Sequence, residues 1–229
     1  MIQVTAITAA YNAASYIENC IQSVLAQTVP CRMIIVDDAS RDDTYAIAMR
    51  YAEEYPDRIT VLKNEQNAGA AASRNRAVAC ATTPYVAILD ADDWWQEDKT
   101  ERQLKRLAET KADVCYAGRE LMHADGISTT KIVQVPETVT YHGLLKGNVI
   151  PCSSVLMRRE DALQYPMTHD ELHEDYIVWL SMLRDGKIFA GVTYGVYRYM
   201  GIPVWKAVYY FCCYAAAGCK KYAGARGKK

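Results

Sequence analysis

The chain has 229 residues, 51% of them hydrophobic, with 26 basic and 27 acidic side chains and a net charge of -1. This hydrophobic share excludes a disordered polymer, and the near-neutral charge argues against a protein that binds nucleic acid through bulk charge. A chain of this length can build one α/β domain with a sizeable core.

Apolar runs and amphipathic runs alternate along the first half of the chain. Short β-branched runs, typical of buried strands, occur at residues 2–10, 33–36, 59–62 and 85–89. Helical periodicity follows each of them, at residues 16–27, 44–55, 69–81 and 97–111. Because strands that alternate with helices are typical of a parallel sheet covered on both faces, the sequence predicts an α/β fold of that kind.

The regular alternation of predicted strands and helices ends at about Ala112. Short strands are predicted at residues 114–117, 132–135 and 153–157, and a helix at 174–183. No repeat and no Gly/Ser-rich linker divides the chain, so we interpret residues 1–229 as one domain. Within it we predict three parts: a nucleotide-binding half at 1–110, an acceptor half at 111–201 and an amphipathic tail at 202–229.

The tail contains an apolar and aromatic run at residues 204–219, with Trp205 and Lys206 inside it and Lys220 after it. The run is shorter than the roughly 20 apolar residues of a membrane span. Aromatic residues flanked by lysines suit a helix at a membrane surface, but the same composition suits a helix docked on the core. Both interpretations stay open, and the first predicts a cytoplasmic protein that is peripheral at the inner face of the cell membrane.

Eight cysteines are present without a Cys-x-x-Cys pair, and we expect no signal peptide. Most of them lie singly inside apolar runs, which predicts reduced, buried thiols in a cytosolic protein. A disulfide framework is the alternative. The cysteines are Cys20, Cys31, Cys80, Cys115, Cys152, Cys212, Cys213 and Cys219.

Polar clusters follow three of the predicted strands, at residues 11–12, 37–38 and 90–93. Ligands of open α/β sheets bind beyond the carboxyl ends of the strands, so we expect these clusters to converge on one site. Asp90 and Asp92 are two residues apart, which in an extended chain places both carboxylates on one side. Hard oxygen ligands favour Mg²⁺ or Mn²⁺. The alternative for these acids is a solvated turn or a helix cap.

Two further residues of these clusters suit a nucleotide. Asp38 can accept hydrogen bonds from a base N–H or a ribose hydroxyl. Tyr11 offers an aromatic face on which a base can stack, although ordinary packing explains an aromatic residue here equally well.

The motifs, taken in order, resemble those of family 2 glycosyltransferases of the GT-A fold. The matching segments span residues 2–200: they are Thr8-Ala9-Ala10-Tyr11-Asn12, Val36-Asp37-Asp38-Ala39-Ser40, Asn67-Ala68-Gly69, Ser73-Arg74-Asn75, Leu89-Asp90-Ala91-Asp92-Asp93, Pro151-Cys152-Ser153-Ser154-Val155 and His173-Glu174-Asp175-Tyr176. The resemblance implies a mostly parallel, Rossmann-like sheet with helices on both faces and a smaller acceptor-side subregion. Ala39 departs from the family's usual glycine.

For the donor, the resemblance implies a nucleotide-diphosphate sugar, most often with uracil as the base. Tyr11 and Asp38 would hold the base, and Ala9, Gly69 and Arg74 would complete the nucleotide contacts. In the same way, Asp90 would contact the ribose or a metal-bound water, while Asp92 would ligate Mn²⁺ or Mg²⁺.

For the acceptor, the resemblance implies that Asp175 is the general base, with Glu174 beside it among the substrate contacts. The reaction would move one sugar onto a hydroxyl group of a glycan or lipid-linked glycan, with inversion, in the synthesis of a cell-surface polysaccharide or glycolipid. Two alternatives remain. The Glu174-Asp175 pair also suits the first turn of a helix, and the chain could be a sugar-nucleotide binding module without catalysis.

A zinc site is a competing interpretation of two histidines. His169 and His173 are four residues apart, with Glu171 between them, and on a helix both imidazoles would share a face. The order of these residues is not that of a zinc protease, and Pro166 weakens the helix. One of the histidines could instead contact the acceptor.

Overall fold

The computed structural model describes residues 2–122, 128–168 and 174–199 of the chain. The elements of the first half are β1 (Val4–Ala10), α1 (Ile17–Leu25), β2 (Cys31–Asp37), α2 (Thr44–Glu54), β3 (Ile59–Lys63), α3 (Ala70–Cys80), β4 (Tyr85–Ile88), β5 (Asp93–Trp95) and α4 (Lys99–Thr110). Those of the second half are β6 (Val114–Met122), β7 (Ser128–Val133), α5 (Tyr141–Leu144), a 3-10 turn (Cys152–Ser154), β8 (Leu156–Arg158), α6 (Arg159–Gln164), α7 (Glu174–Arg184) and β9 (Phe189–Tyr199).

One curled sheet carries all these strands, in the order β3-β2-β1-β4-β8-β6-β9-β5, with β7 on the edge of β6. The first four strands in this order are parallel neighbours. β6 and β9 run in the same direction as these four, whereas β5, β7 and β8 run the opposite way. The prediction of a mostly parallel α/β sheet is therefore confirmed.

Helices cover both faces of the sheet because the inner strands are apolar on both sides. In β1, Val4 and Ala6 face the cluster that includes Ile17 and Ile21 of α1. Ile7 points to the other face, where it joins a second cluster. That cluster contains Val78 of α3 and Trp179 of α7.

The sequence missed several elements of the second half. β5, β9, α5 and α6 were not predicted. β7 covers Ser128–Val133 rather than residues 132–135, and β6 extends to Met122 rather than ending at residue 117. The predicted strand at 153–157 is wrong in its first part, because Ser153 and Ser154 belong to the 3-10 turn. The division into nucleotide and acceptor halves is a functional one and stays a prediction. The tail lies outside the described residues.

The cysteines are less uniform than predicted. Cys20, Cys31 and Cys115 are buried, in agreement with their apolar surroundings. The prediction is wrong for Cys80, which is exposed at the end of α3, and holds in part for Cys152, which is half-buried. Within the described parts of the chain, no helix has both the length and the apolar character needed to span a membrane.

A buried polar pair anchors α4 to the sheet. Lys99 is fully buried, its Nζ donates to Gln103 Oε1 at 2.6 Å, and the same Nζ lies 4.1 Å from the centre of the Trp95 ring. Gln103 Nε2 in turn donates to the carbonyl oxygens of Cys115 and Ser154, at 3.2 and 2.8 Å. Burial lowers the pKa of Lys99 to about 7, because the charged ammonium has lost its water.

We expect the Lys99→Met substitution to change the pH dependence of stability. The pKa of a lysine is about 10.4 in an unfolded chain, so between the folded and unfolded values the unfolded chain binds more protons and stability rises with pH. From about pH 7.5 to about pH 9.5, the free energy of unfolding of the wild type should increase by roughly 2 kcal/mol more than that of the variant. Urea unfolding at both pH values measures this difference. Equal changes in both proteins would contradict a depressed pKa.

Candidate active site

A cavity of about 300 Å³ opens at the edge of the sheet where β1 and β4 end. Its wall comes from the end of β1, the segment leading into α1, α3 and the turn after β4: it consists of Ala9, Tyr11, Asn12, Ala13, Tyr16, Arg74, Asp90, Ala91 and Asp92. Five predicted site residues are thus brought together. A larger groove, of about 710 Å³, lies between α1 and residues 94–98 and contains none of the predicted site residues.

The loop after β2 supports the wall that follows β1. The backbone N–H of Asn12 donates to Ser40 Oγ at 3.1 Å, and Asn12 Oδ1 accepts from the N–H of Arg41 at 2.9 Å. Ala39 has a φ of 60°, which glycine adopts at lower cost than alanine, and this explains the glycine usual in the family. Tyr11 remains 45% exposed in this wall.

Asp38 lies behind the cavity rather than in its wall. Its side chain is buried, Oδ1 accepts from Asn64 Nδ2 at 2.6 Å and from the N–H of Ala68 at 2.8 Å, and Oδ2 accepts from the N–H of Gly69 at 2.9 Å. Gly69, with a φ of 89°, directly precedes α3. These bonds fix the loop before α3. A nucleotide that donates a hydrogen bond to Asp38 would therefore have to use a carboxylate oxygen that already accepts a hydrogen bond from the protein.

Asp90, Asp92 and Asp93 form an acidic turn, residues 90–93, after β4. The N–H of Asp93 donates to the carbonyl of Asp90 at 3.1 Å. Each of the three side chains offers a carboxylate oxygen, and these oxygens lie within 4.8 Å of one another. This donor set fits Mg²⁺ or Mn²⁺, which take hard oxygen ligands. A turn, rather than an extended strand, brings Asp90 and Asp92 together, and Asp93 is buried at the start of β5.

Arg74 connects the acidic turn with α7. Its Nη2 lies 2.6 Å from Asp90 Oδ1, and its Nη1 lies 2.6 Å from Glu174 Oε1. The guanidinium side chain is only 10% exposed, so both charge-assisted bonds are shielded from water. The first turn of α7 is thereby held against the cavity, although no sequence pattern indicated this pairing.

Asp175 follows Glu174 in the first turn of α7 and is half-buried. Burial raises its pKa, and the carboxylates of Glu174 and Asp90 raise it further. The hydrogen bond from the N–H of Tyr176 to Asp175 Oδ1, at 2.8 Å, and the charge of Arg74 act in the opposite direction. A carboxylate with a raised pKa is a stronger base, as proton abstraction from a hydroxyl requires.

The Cys152 thiol lies among the same charges, and the sequence did not single it out as a site residue. Burial raises its pKa well above the usual value, and the carboxylates of Asp90, Asp175 and Glu174 add to the rise, while Arg74 opposes it. A thiol with a raised pKa is protonated at neutral pH and therefore a poor nucleophile. His169, Glu171 and His173 lie outside the described residues.

Residues 5–164 match the family described as Glycosyl transferase family 2. The chain belongs to glycosyltransferase family 2. Among its relatives, the putative teichuronic acid biosynthesis glycosyltransferase TuaG of Bacillus subtilis (strain 168) is 42% identical over 184 residues, which cover 80% of this chain and 73% of TuaG. The Escherichia coli UDP-Glc:alpha-D-GlcNAc-diphosphoundecaprenol beta-1,3-glucosyltransferase WfgD is 34% identical over 190 residues, 82% of this chain and 72% of WfgD.

Solved structures confirm the GT-A fold of this family 2 glycosyltransferase. S. aureus TarS 1-349 in complex with UDP superposes with a TM-score of 0.70 and 19% identity, over 86% of this chain and 60% of TarS. The mannosyltransferase PcManGT from Pyrobaculum calidifontis, in complex with GDP-Man and Mn²⁺, gives a TM-score of 0.67 and 22% identity, over 88% of this chain and 57% of PcManGT. At these identities the similarity concerns the fold alone.

Proposed function

We propose that this glycosyltransferase moves one sugar from a UDP-sugar to a hydroxyl group of a lipid-linked glycan, with inversion, in the synthesis of a cell-surface polysaccharide. The observation that carries the proposal is the pairing of Arg74 with both the acidic turn and the first turn of α7. Arg74, Asp90 and Asp92 line the cavity, and the Arg74 guanidinium binds the carboxylates of Asp90 and Glu174. Asp175, a carboxyl group with a raised pKa, directly follows Glu174.

The donor would occupy the cavity lined by Tyr11, Arg74 and Asp90. Tyr11 is exposed enough for a base to stack on its ring. Asp90 and Asp92 would hold Mg²⁺ or Mn²⁺, which supplies positive charge to the departing diphosphate. UDP as the nucleotide is supported by the UDP-Glc donor in the name of WfgD and by the UDP bound to TarS. The Mn²⁺ of PcManGT supports the metal.

Asp175 would act on the acceptor. Its carboxylate takes the proton of the acceptor hydroxyl while the hydroxyl oxygen forms a bond to the anomeric carbon of the donor sugar. The bond from that carbon to the diphosphate breaks, and UDP leaves with the electron pair. Because one base and one displacement suffice, the anomeric configuration inverts. Glu174 and Arg74 would keep the first turn of α7 at the cavity during this step.

The acceptor class follows from the relatives. WfgD is named for transfer to GlcNAc-diphosphoundecaprenol, and TuaG for teichuronic acid biosynthesis. A lipid-linked acceptor suits a cytoplasmic protein that is peripheral at the inner face of the membrane, and the aromatic and lysine-rich composition of residues 204–221 supports this position. Sedimentation with anionic liposomes tests it: protein that stays in the supernatant at low salt would contradict it.

A donor screen tests the proposed function. Thermal shifts with a panel of nucleotide sugars and Mn²⁺ identify the donor, because a bound ligand raises the melting temperature. The best donor is then incubated with a GlcNAc-diphosphate lipid, and the product is identified by mass spectrometry. We expect a product one sugar heavier and one equivalent of UDP. Binding of a donor without transfer to any lipid-linked or free glycan acceptor would favour the binding module without catalysis.

A further inference from the structure

Ser153 connects the 3-10 turn of the second half to the acidic turn of the first half. Its side chain is 2% exposed. The hydroxyl accepts a hydrogen bond from the N–H of Asp90 at 3.1 Å and donates one to Asp93 Oδ2 at 2.6 Å. Its carbonyl oxygen accepts from Trp95 Nε1 at 2.9 Å. One residue thus contacts the first and the last residue of the acidic turn.

The two hydroxyl bonds have a fixed polarity. A serine hydroxyl has one proton, and the backbone N–H of Asp90 can only donate, so the proton of Ser153 is directed to the carboxylate of Asp93. A hydrogen bond to a buried carboxylate is charge-assisted and stronger than a neutral one. It holds the Asp93 carboxylate on the side of Ser153, in the protein interior, while Asp92 beside it is exposed.

The 3-10 turn is itself held from behind. Gln103 Nε2 donates to the carbonyl oxygen of Ser154 at 2.8 Å, and the Ser154 hydroxyl donates to the carbonyl of Pro151 at 2.7 Å. The indole of Trp95 fixes the carbonyl of Ser153. Because the contacts of Ser154 with Gln103 and Pro151 hold the 3-10 turn independently of the acidic turn, the Ser153 hydroxyl is a preorganised support for the acidic turn.

We propose that Ser153 is a positioning residue that holds the acidic turn in the shape in which Asp90 and Asp92 bind a divalent metal together with the donor diphosphate. The inference rests on the proposed function. Without the hydroxyl, the buried Asp93 carboxylate loses a hydrogen-bond donor and the Asp90 N–H loses its acceptor. Both ends of the turn then relax, and the oxygens of Asp90 and Asp92 no longer converge as closely.

The Ser153→Ala variant tests this inference, with Ser154→Ala as its matched control. Ser154 is equally buried and lies in the same turn, but its hydroxyl donates to the carbonyl of Pro151, directly before that turn, and does not contact the acidic turn. Calorimetry with UDP, in Mn²⁺ and in chelator, measures binding without turnover. We expect Ser153→Ala to weaken the Mn²⁺-dependent binding of UDP by about tenfold or more, since a hydrogen bond to a charged group contributes on that order. Ser154→Ala should change it by less than about twofold.

The Asp93→Asn variant changes the acceptor of the hydrogen bond that Ser153 donates. It replaces Ser153→Ala as the test if that variant does not fold. It should weaken Mn²⁺-dependent UDP binding in the same way, and the double variant should be no weaker than the poorer single variant. The inference is overturned if Ser153→Ala binds UDP in Mn²⁺ with wild-type affinity, or, where that variant does not fold, if Asp93→Asn does. An equal loss of UDP affinity in Ser154→Ala would overturn it as well. If the wild-type protein itself binds UDP equally well in Mn²⁺ and in chelator, the proposed function fails first, and the inference with it.

Discussion

Asp92→Ala should abolish the metal dependence of UDP binding. Asp92 is the exposed member of the acidic turn, whereas Asp90 is half-buried and Asp93 is buried. Removal of this carboxylate leaves no exposed acidic side chain in the turn. The loss should exceed the roughly 10–100-fold that changes around metal ligands cost. Calorimetry with UDP in Mn²⁺ and in chelator measures it.

Asp57→Ala is the control for this experiment. Asp57 is also exposed, but it precedes β3 at the opposite edge of the sheet. This variant should bind UDP with wild-type affinity and full metal dependence. An Asp92→Ala protein that still binds UDP much more tightly in Mn²⁺ than in chelator would remove Asp92 from the site.

Asp175→Asn should lower the turnover of sugar transfer by about 10²–10⁴-fold, the usual contribution of a general base. Asparagine keeps the shape and an oxygen that can accept from the N–H of Tyr176, so the start of α7 should be preserved. UDP affinity and melting temperature should therefore stay close to those of the wild type. Asp185→Asn, at the other end of the same helix, is the control and should transfer sugar normally.

The pH profile of turnover adds an independent check on Asp175. A base must be deprotonated to act, and burial together with Glu174 and Asp90 raises the pKa of Asp175. The activity of the wild type should therefore decrease on acidification at a pH above the ordinary range of an aspartate. A variant that keeps near-normal transfer without the carboxylate would exclude Asp175 as the base and direct attention to Glu174.

The sequence could predict the first half of the fold because its strands are buried on both faces. Such strands are continuous apolar runs, and the polar residues that follow them mark the edge of the sheet where ligands bind. β5 was not predicted because it has only three residues and begins with Asp93, which resembles a helix cap. β9 contains Gly191 and Gly195, which interrupt a strand pattern. At Gly191 a side chain would clash with the carbonyl of Pro136, so only glycine fits.

The candidate site was predictable to the extent that single residues carry charge or an aromatic ring. Asp90 and Asp92 stand out in this way, whereas the role predicted for Asp175 came from the family resemblance, because its charge alone also suits the first turn of a helix. The contacts of Arg74 with Glu174 and of Ser153 with Asp93 did not stand out, because they join residues 100 and 60 positions apart. The nucleotide contact of Asp38 stays a prediction: its carboxylate suggested a ligand contact, and in the fold it also accepts bonds from the loop before α3.

The anomeric configuration of the product tests the central claim most directly. The claim is a single displacement in which Asp175 deprotonates the acceptor and the acidic turn holds the metal that binds the donor diphosphate. Wild-type protein is incubated with Mn²⁺, an acceptor and a donor whose sugar is α-linked to UDP, and the new linkage is read from the coupling of the anomeric proton by NMR. We predict a β-linked product. An α-linked product would contradict a single displacement and the role given to Asp175.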